Sequence, residues 1–148
     1  MYKSENSFVN YSFLSLLAAC LVLISCNHVH RQLDILFVYT LILCSLSFLL
    51  FTDPRIIDAT HLLFMLSLFS ITLFSNNRTL LLLVVMVYAI MIFSRIHFGH
   101  CVINKKQNNV GIFLRFNKLV NREGTISQGN RLFTVMLLIT LYRCYHRK

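Results

Sequence analysis

Four stretches of almost unbroken apolar residues occupy the first two thirds of the chain, separated by short polar connections. They run from Phe8 to Ser25, Leu33 to Phe51, Ile56 to Phe74 and Thr79 to Ser94. A helix rises about 1.5 Å per residue, so roughly 20 residues cross a hydrocarbon core. Each stretch therefore predicts one membrane-crossing helix, over 8–25, 33–51, 56–74 and 79–96. The expected fold is all-α: a multi-pass transmembrane helical bundle of four spans within residues 1–98, followed by a basic amphipathic C-terminal region over 99–148. The Ser75-Asn76-Asn77-Arg78 connection is short enough to make the third and fourth helices an antiparallel hairpin.

After the fourth stretch the pattern changes. Lys105-Lys106-Gln107-Asn108-Asn109 reads as a polar linker. From there Ile112, Phe113, Phe116, Leu119 and Val120 share one helical face, and Arg115, Lys118 and Arg122 share another. This predicts an amphipathic helix over 110–122 lying in the plane of an anionic leaflet. The competing reading is a hairpin of 111–118 with 125–135 and a turn at 121–124; the apolar spacing favours the helix. A last apolar run, Leu132 to Tyr142, lies between Arg131 and Arg143. It is short for a span, which predicts that it docks against the bundle or lies on the membrane. Were it to cross, it would be a short span and the N-terminus would face outward.

Composition narrows the class. A chain of 148 residues that is 57% hydrophobic and 13% charged cannot hide four apolar helices in one small soluble core. The net charge of +9 calls for an acidic partner. Anionic lipid headgroups fit better than nucleic acid, because the cations adjoin membrane segments and no nucleic-acid motif is present. The expected headgroup contacts are Lys105, Lys106, Arg115, Lys118 and Arg122. Each of the three early connections carries one arginine (Arg31, Arg55, Arg78), whereas ten cations follow the fourth stretch, from Arg95 to Lys148. Cytoplasmic enrichment in Lys and Arg then puts the C-terminus, and with four spans the N-terminus too, in the cytoplasm. The first stretch also has the outline of a signal peptide, and Leu17-Ala18-Ala19-Cys20 and Leu23-Ile24-Ser25-Cys26 look like bacterial lipobox sequences. Glu5 and the three following spans favour a retained first helix.

Candidate chemistry is sparse. All four glycines follow the fourth stretch and the single proline, Pro54, falls in a connection, so no broken helix offers a substrate site. Asp58 and His61, three apart at the start of the third helix, are expected at headgroup level and wet. Ser12, Ser15, Ser45, Ser47, Ser67 and Ser70 read as small packing groups between helices rather than pore lining. His97, His100 and Cys101 are the candidate metal ligands, with Cys144 and His146 as further donors near the same surface; haem ligation by His61 with His97 or His100 is a weaker variant. No cofactor is expected, and no nucleophile, phosphate-loop or paired-carboxylate pattern points to an enzyme. The functional expectation is a small integral membrane protein with a structural, assembly or scaffold role, partnered by the bilayer, other membrane proteins or further copies of itself. An oligomeric, holin-like pore and a metal- or haem-binding subunit are the alternatives.

Overall fold

The computed structural model describes residues 2–98 and 126–146. The described residues contain five α-helices: α1 Tyr2–Ser25, α2 Gln32–Leu50, α3 Pro54–Phe74, α4 Arg78–Phe98 and α5 Ile126–His146. The first four are long and apolar enough to cross a membrane. The all-helical class and the four candidate spans agree with the sequence pattern; the region 99–125, with the expected amphipathic helix 110–122, lies outside the described residues.

Local chemistry sets the helix ends. α1 stops at Asn27, which takes a positive φ of 51°. The His28 amide donates to the Leu23 carbonyl at 3.1 Å and the Asn27 amide to the Ile24 carbonyl at 3.0 Å. That pair of bonds is a Schellman closure, and asparagine tolerates the left-handed residue it needs. α3 begins two residues before its apolar run. The Asp53 carboxylate accepts from the Arg55 amide at 2.8 Å, and Pro54 takes the first helical position, where its missing N–H costs nothing. At the start of α4 the Asn77 side-chain oxygen accepts from the Leu80 amide at 3.0 Å. α4 then continues past Ser94, so Arg95 and His97 belong to its last turn.

α3 is the central helix. Over half of its apolar window (56%) is buried, against 28–33% for α1, α2 and α4. α1 packs on α2 and α2 on α3, while α4 packs chiefly on α5. The Ser75–Asn77 turn is as short as expected, yet α4 finds its main neighbour in α5 rather than in α3. An aromatic cluster ties the first three helices together. Phe13 stacks on Phe48 with centroids 4.3 Å apart, and Phe64 meets both rings edge-on at 5.7 and 6.0 Å.

The run 132–142 is the middle of a helix of 21 residues that lies along α4. Its Phe133 ring sits 6.2 Å from Tyr88 and beneath Arg95, and its Cys144 thiol meets the Arg78 carbonyl at 4.0 Å. α5 therefore runs antiparallel to α4. Its final residues lie beside the α1–α2 and α3–α4 connections; the start of α1 lies at the other end, where Phe8 meets Phe98 at 5.5 Å. The start of α1 and the end of α5 are thus at opposite ends of the bundle.

Candidate functional site

Polar side chains collect at both ends of the bundle, and the two groups differ in kind. At the end carrying the α3–α4 turn, Thr72, Tyr88 and Thr140 come from three different helices and are fully buried. The Thr72 hydroxyl lies 3.3 Å from the Tyr88 hydroxyl and 3.1 Å from that of Thr140. One turn further along α5, the Arg143 guanidinium donates to the Thr72 carbonyl and, at 2.8 Å, to the Ser75 carbonyl. Those carbonyls belong to the last turn of α3, which has no helical donors left for them and carries the negative end of the helix dipole. Arg31 adds a bond from the α2 side, reaching the Phe74 carbonyl at 3.2 Å. This group holds helices to one another, and each cation in it meets a backbone oxygen.

At the opposite end Asp58, His61 and Arg95 are the ionisable residues turned toward neighbouring helices, whereas His97 is exposed. Asp58 and His61 are not at a wet headgroup level: they are 5% and 1% exposed. Because α3 is enclosed by its neighbours, the face carrying this pair turns into the protein, with the His61 ring edge-on to Phe48 at 6.4 Å. His61 lies within electrostatic reach of Asp58 on its own helix and of Arg95 on α4. Helical side chains lean toward the N-terminus of their helix, which carries Arg95 back down α4. Its guanidinium ends 5.2 Å above the Phe133 ring, a cation–π placement. Among the described residues Arg95 donates no hydrogen bond, and its Nε is buried without a partner.

Beside Arg95 a cleft of about 290 Å³ opens between α1 and α4. Phe8, Phe13, Leu16, Met86, Ile90 and Arg95 define it, with Phe64 at its floor. The serines along it are not available to water or ligand as donors. Ser12 donates to the Phe8 carbonyl, Ser15 to that of Ser12 and Ser94 to that of Met91, at 2.8–2.9 Å. Ser45 and Ser67, on α2 and α3, do the same within their own helices. Among the described residues lining the cleft, Arg95 is thus the one with a buried, unpartnered donor, its Nε.

The expected metal set is only partly visible. His97 is exposed, with its ring stacked on Phe93 at 5.8 Å and edge-on to Phe98 at 4.8 Å. His100 and Cys101 lie outside the described residues, as do the expected headgroup contacts Lys105, Lys106, Arg115, Lys118 and Arg122. Cys144 and His146 are not near His97: α5 carries them to the Arg78 end of α4, about 30 Å away for a helix of this length. Among the described residues no three His, Cys, Asp or Glu side chains converge as a cation site. Sequence reasoning passed over Arg95 and Arg143 as flanking charges, although Tyr88, Met91 and Arg95 fall on one helical face, as do Phe133, Met136 and Thr140. It also passed over Asp34, in the first turn of α2, which is 2% exposed.

No family model matches this sequence, and no curated protein or solved structure shows detectable similarity to it.

Proposed function

We propose that this protein is a non-enzymatic integral membrane component with a structural or assembly role, and that α5 crosses the membrane together with α1–α4. The support is the way its polar groups are used. Thr72, Tyr88, Thr140 and Arg143 join α3, α4 and α5 to one another, so the buried polarity serves cohesion rather than a water-filled path. Outward, the helices present large apolar side chains such as Leu36 and Leu43 on α2, Leu66 and Leu73 on α3, and Leu82 and Phe93 on α4. Such faces suit lipid, neighbouring membrane proteins or further copies of the chain.

Five crossings put the N-terminus and the 99–125 segment on one side and the end of α5 on the other. The 99–125 segment carries Lys105, Lys106, Arg115, Lys118 and Arg122, which makes its side the cytoplasmic one and gives it anionic headgroups to bind. In this arrangement the N-terminus stays cytoplasmic and the C-terminus is external, the reverse of the orientation expected for a fifth crossing, because the five cations of 99–125 outnumber Arg143, Arg147 and Lys148 at the other end. The test is isolation of the tagged full chain from native membranes in mild detergent. A partner or a homo-oligomer that survives size exclusion supports the assembly role; a lone monomer in every membrane fraction overturns it.

A further inference from the structure

Among the described residues, the cleft between α1 and α4 combines open space with a cation whose Nε has no hydrogen-bond partner. Helices in a well-packed bundle leave few voids larger than a water molecule. Here α1 and α4 touch sparsely, and the gap between them is lined by Phe13, Leu16, Met86 and Ile90. Its serine hydroxyls are already bonded to their own helices, so the walls behave as apolar surface. Arg95 lines the same cleft. Phe133 covers one face of its guanidinium and His61 lies within electrostatic reach, yet no described acceptor receives its N–H groups. A cation with open donors beside an apolar slot is complementary to a molecule with an anionic head and a hydrocarbon chain. Arginine presents a planar set of donors that matches a phosphate.

We propose that this cleft is a binding site for one anionic phospholipid, with an acyl chain between α1 and α4 and the phosphate on the Arg95 guanidinium. Arg95 is in the last turn of α4, where a cation is also favoured by the helix dipole. In the orientation proposed above this is the cytoplasmic leaflet, which is the leaflet rich in anionic lipid. Only that leaflet assignment rests on the orientation; the site itself does not.

Native mass spectrometry of the detergent-purified full chain, titrated with phosphatidylglycerol or phosphatidylcholine of matched chains, tests the site. One saturating phosphatidylglycerol is expected, held about tenfold more tightly than phosphatidylcholine, the scale of one charge-assisted contact. Arg95→Gln should bring the two lipids level, and Arg95→Lys should keep most of the preference. Ala19→Leu, which fills the cleft from the α1 side, should remove both. A preference that survives Arg95→Gln, equal uptake of both lipids by the parent protein, or undiminished binding by Ala19→Leu would each overturn the proposal. The measurement is made in detergent, so a reversed topology or a missing protein partner leaves its result unchanged.

Discussion

Replacing Arg143 with methionine should release α5 from the bundle, and the size of the effect at the α3 contact can be worked from the two bonds Arg143 makes there. The substitution keeps an unbranched apolar stem and removes the donors to the Thr72 and Ser75 carbonyls. Interhelical hydrogen bonds in membranes average about 0.6 kcal/mol, so two neutral ones would contribute roughly 1 kcal/mol. A charged donor raises such bonds to about 1.5–3 kcal/mol. Against this, an undocked Arg143 recovers part of the energy by snorkelling to the headgroups. The net loss on Arg143→Met is therefore about 1–3 kcal/mol, which multiplies the undocked population roughly 5- to 150-fold. Cys144 reports it directly, because it is buried only while α5 lies on α4. In a background with Cys26→Ser and Cys101→Ser, alkylation of Cys144 by a neutral, membrane-permeant maleimide should accelerate by that factor. Cys44, buried in α2, is the control and should keep its parent rate. A Cys144 rate within twofold of the parent would refute the docking role of Arg143. Acceleration at Cys44 as well would refute a local undocking, since the whole bundle would then have loosened.

Thr140→Val removes the 3.1 Å bond to Thr72 without changing shape and should cost about 0.5–1 kcal/mol by the same alkylation measurement. Combined with Tyr88→Phe it should show a coupling of about 0.5 kcal/mol or more, because Thr72 then loses both hydroxyl partners; strict additivity would mean they act independently. Reporter fusions after Asn108 and Lys148 should give opposite signals, cytoplasmic at the first and external at the second, and a cytoplasmic Lys148 would remove α5 from the set of spans. Liposomes loaded with a small dye should stay as tight with the protein as without it, since the serine hydroxyls donate within their own helices; dye release at low protein load would restore the pore reading.

The four long helices were legible because hydropathy reads transfer from water to lipid, and their runs exceed the length at which that signal is decisive. α3 begins two residues before its apolar run because Asp53 and Pro54 set its start, a signal of capping chemistry that apolarity does not carry. For α5, hydropathy gives a run too short to span by transfer to lipid, and docking against the bundle is one of the two placements that follow; which helix it packs on is set by protein contacts that hydropathy does not read: Arg143 on the end of α3, Thr140 on Thr72, Phe133 beside Tyr88. The burial of Asp58 and His61 was hidden for a related reason. A position near a helix start gives its depth in the bilayer, whereas its wetness depends on which face the neighbours cover, and α3 turns out to be surrounded.

The two ends of the bundle put arginine to different uses, and the contrast explains why one end is a candidate site and the other is not. The last turn of α3 exposes carbonyls that no helical amide can reach, and Arg31 and Arg143 both close on them. There the cation's acceptors are supplied by the fold, so its role is complete within the chain. Arg95 lies at the C-terminal end of α4, where the same dipole argument would predict carbonyl contacts. Instead it leans back over Phe133 into the α1–α4 cleft, and a ring face attracts the charge without accepting directed hydrogen bonds at the guanidinium edge. A guanidinium Nε buried with no partner among the described residues is costly. The cost falls when an anion arrives, and the shape of the cleft selects an anion that carries a hydrocarbon chain.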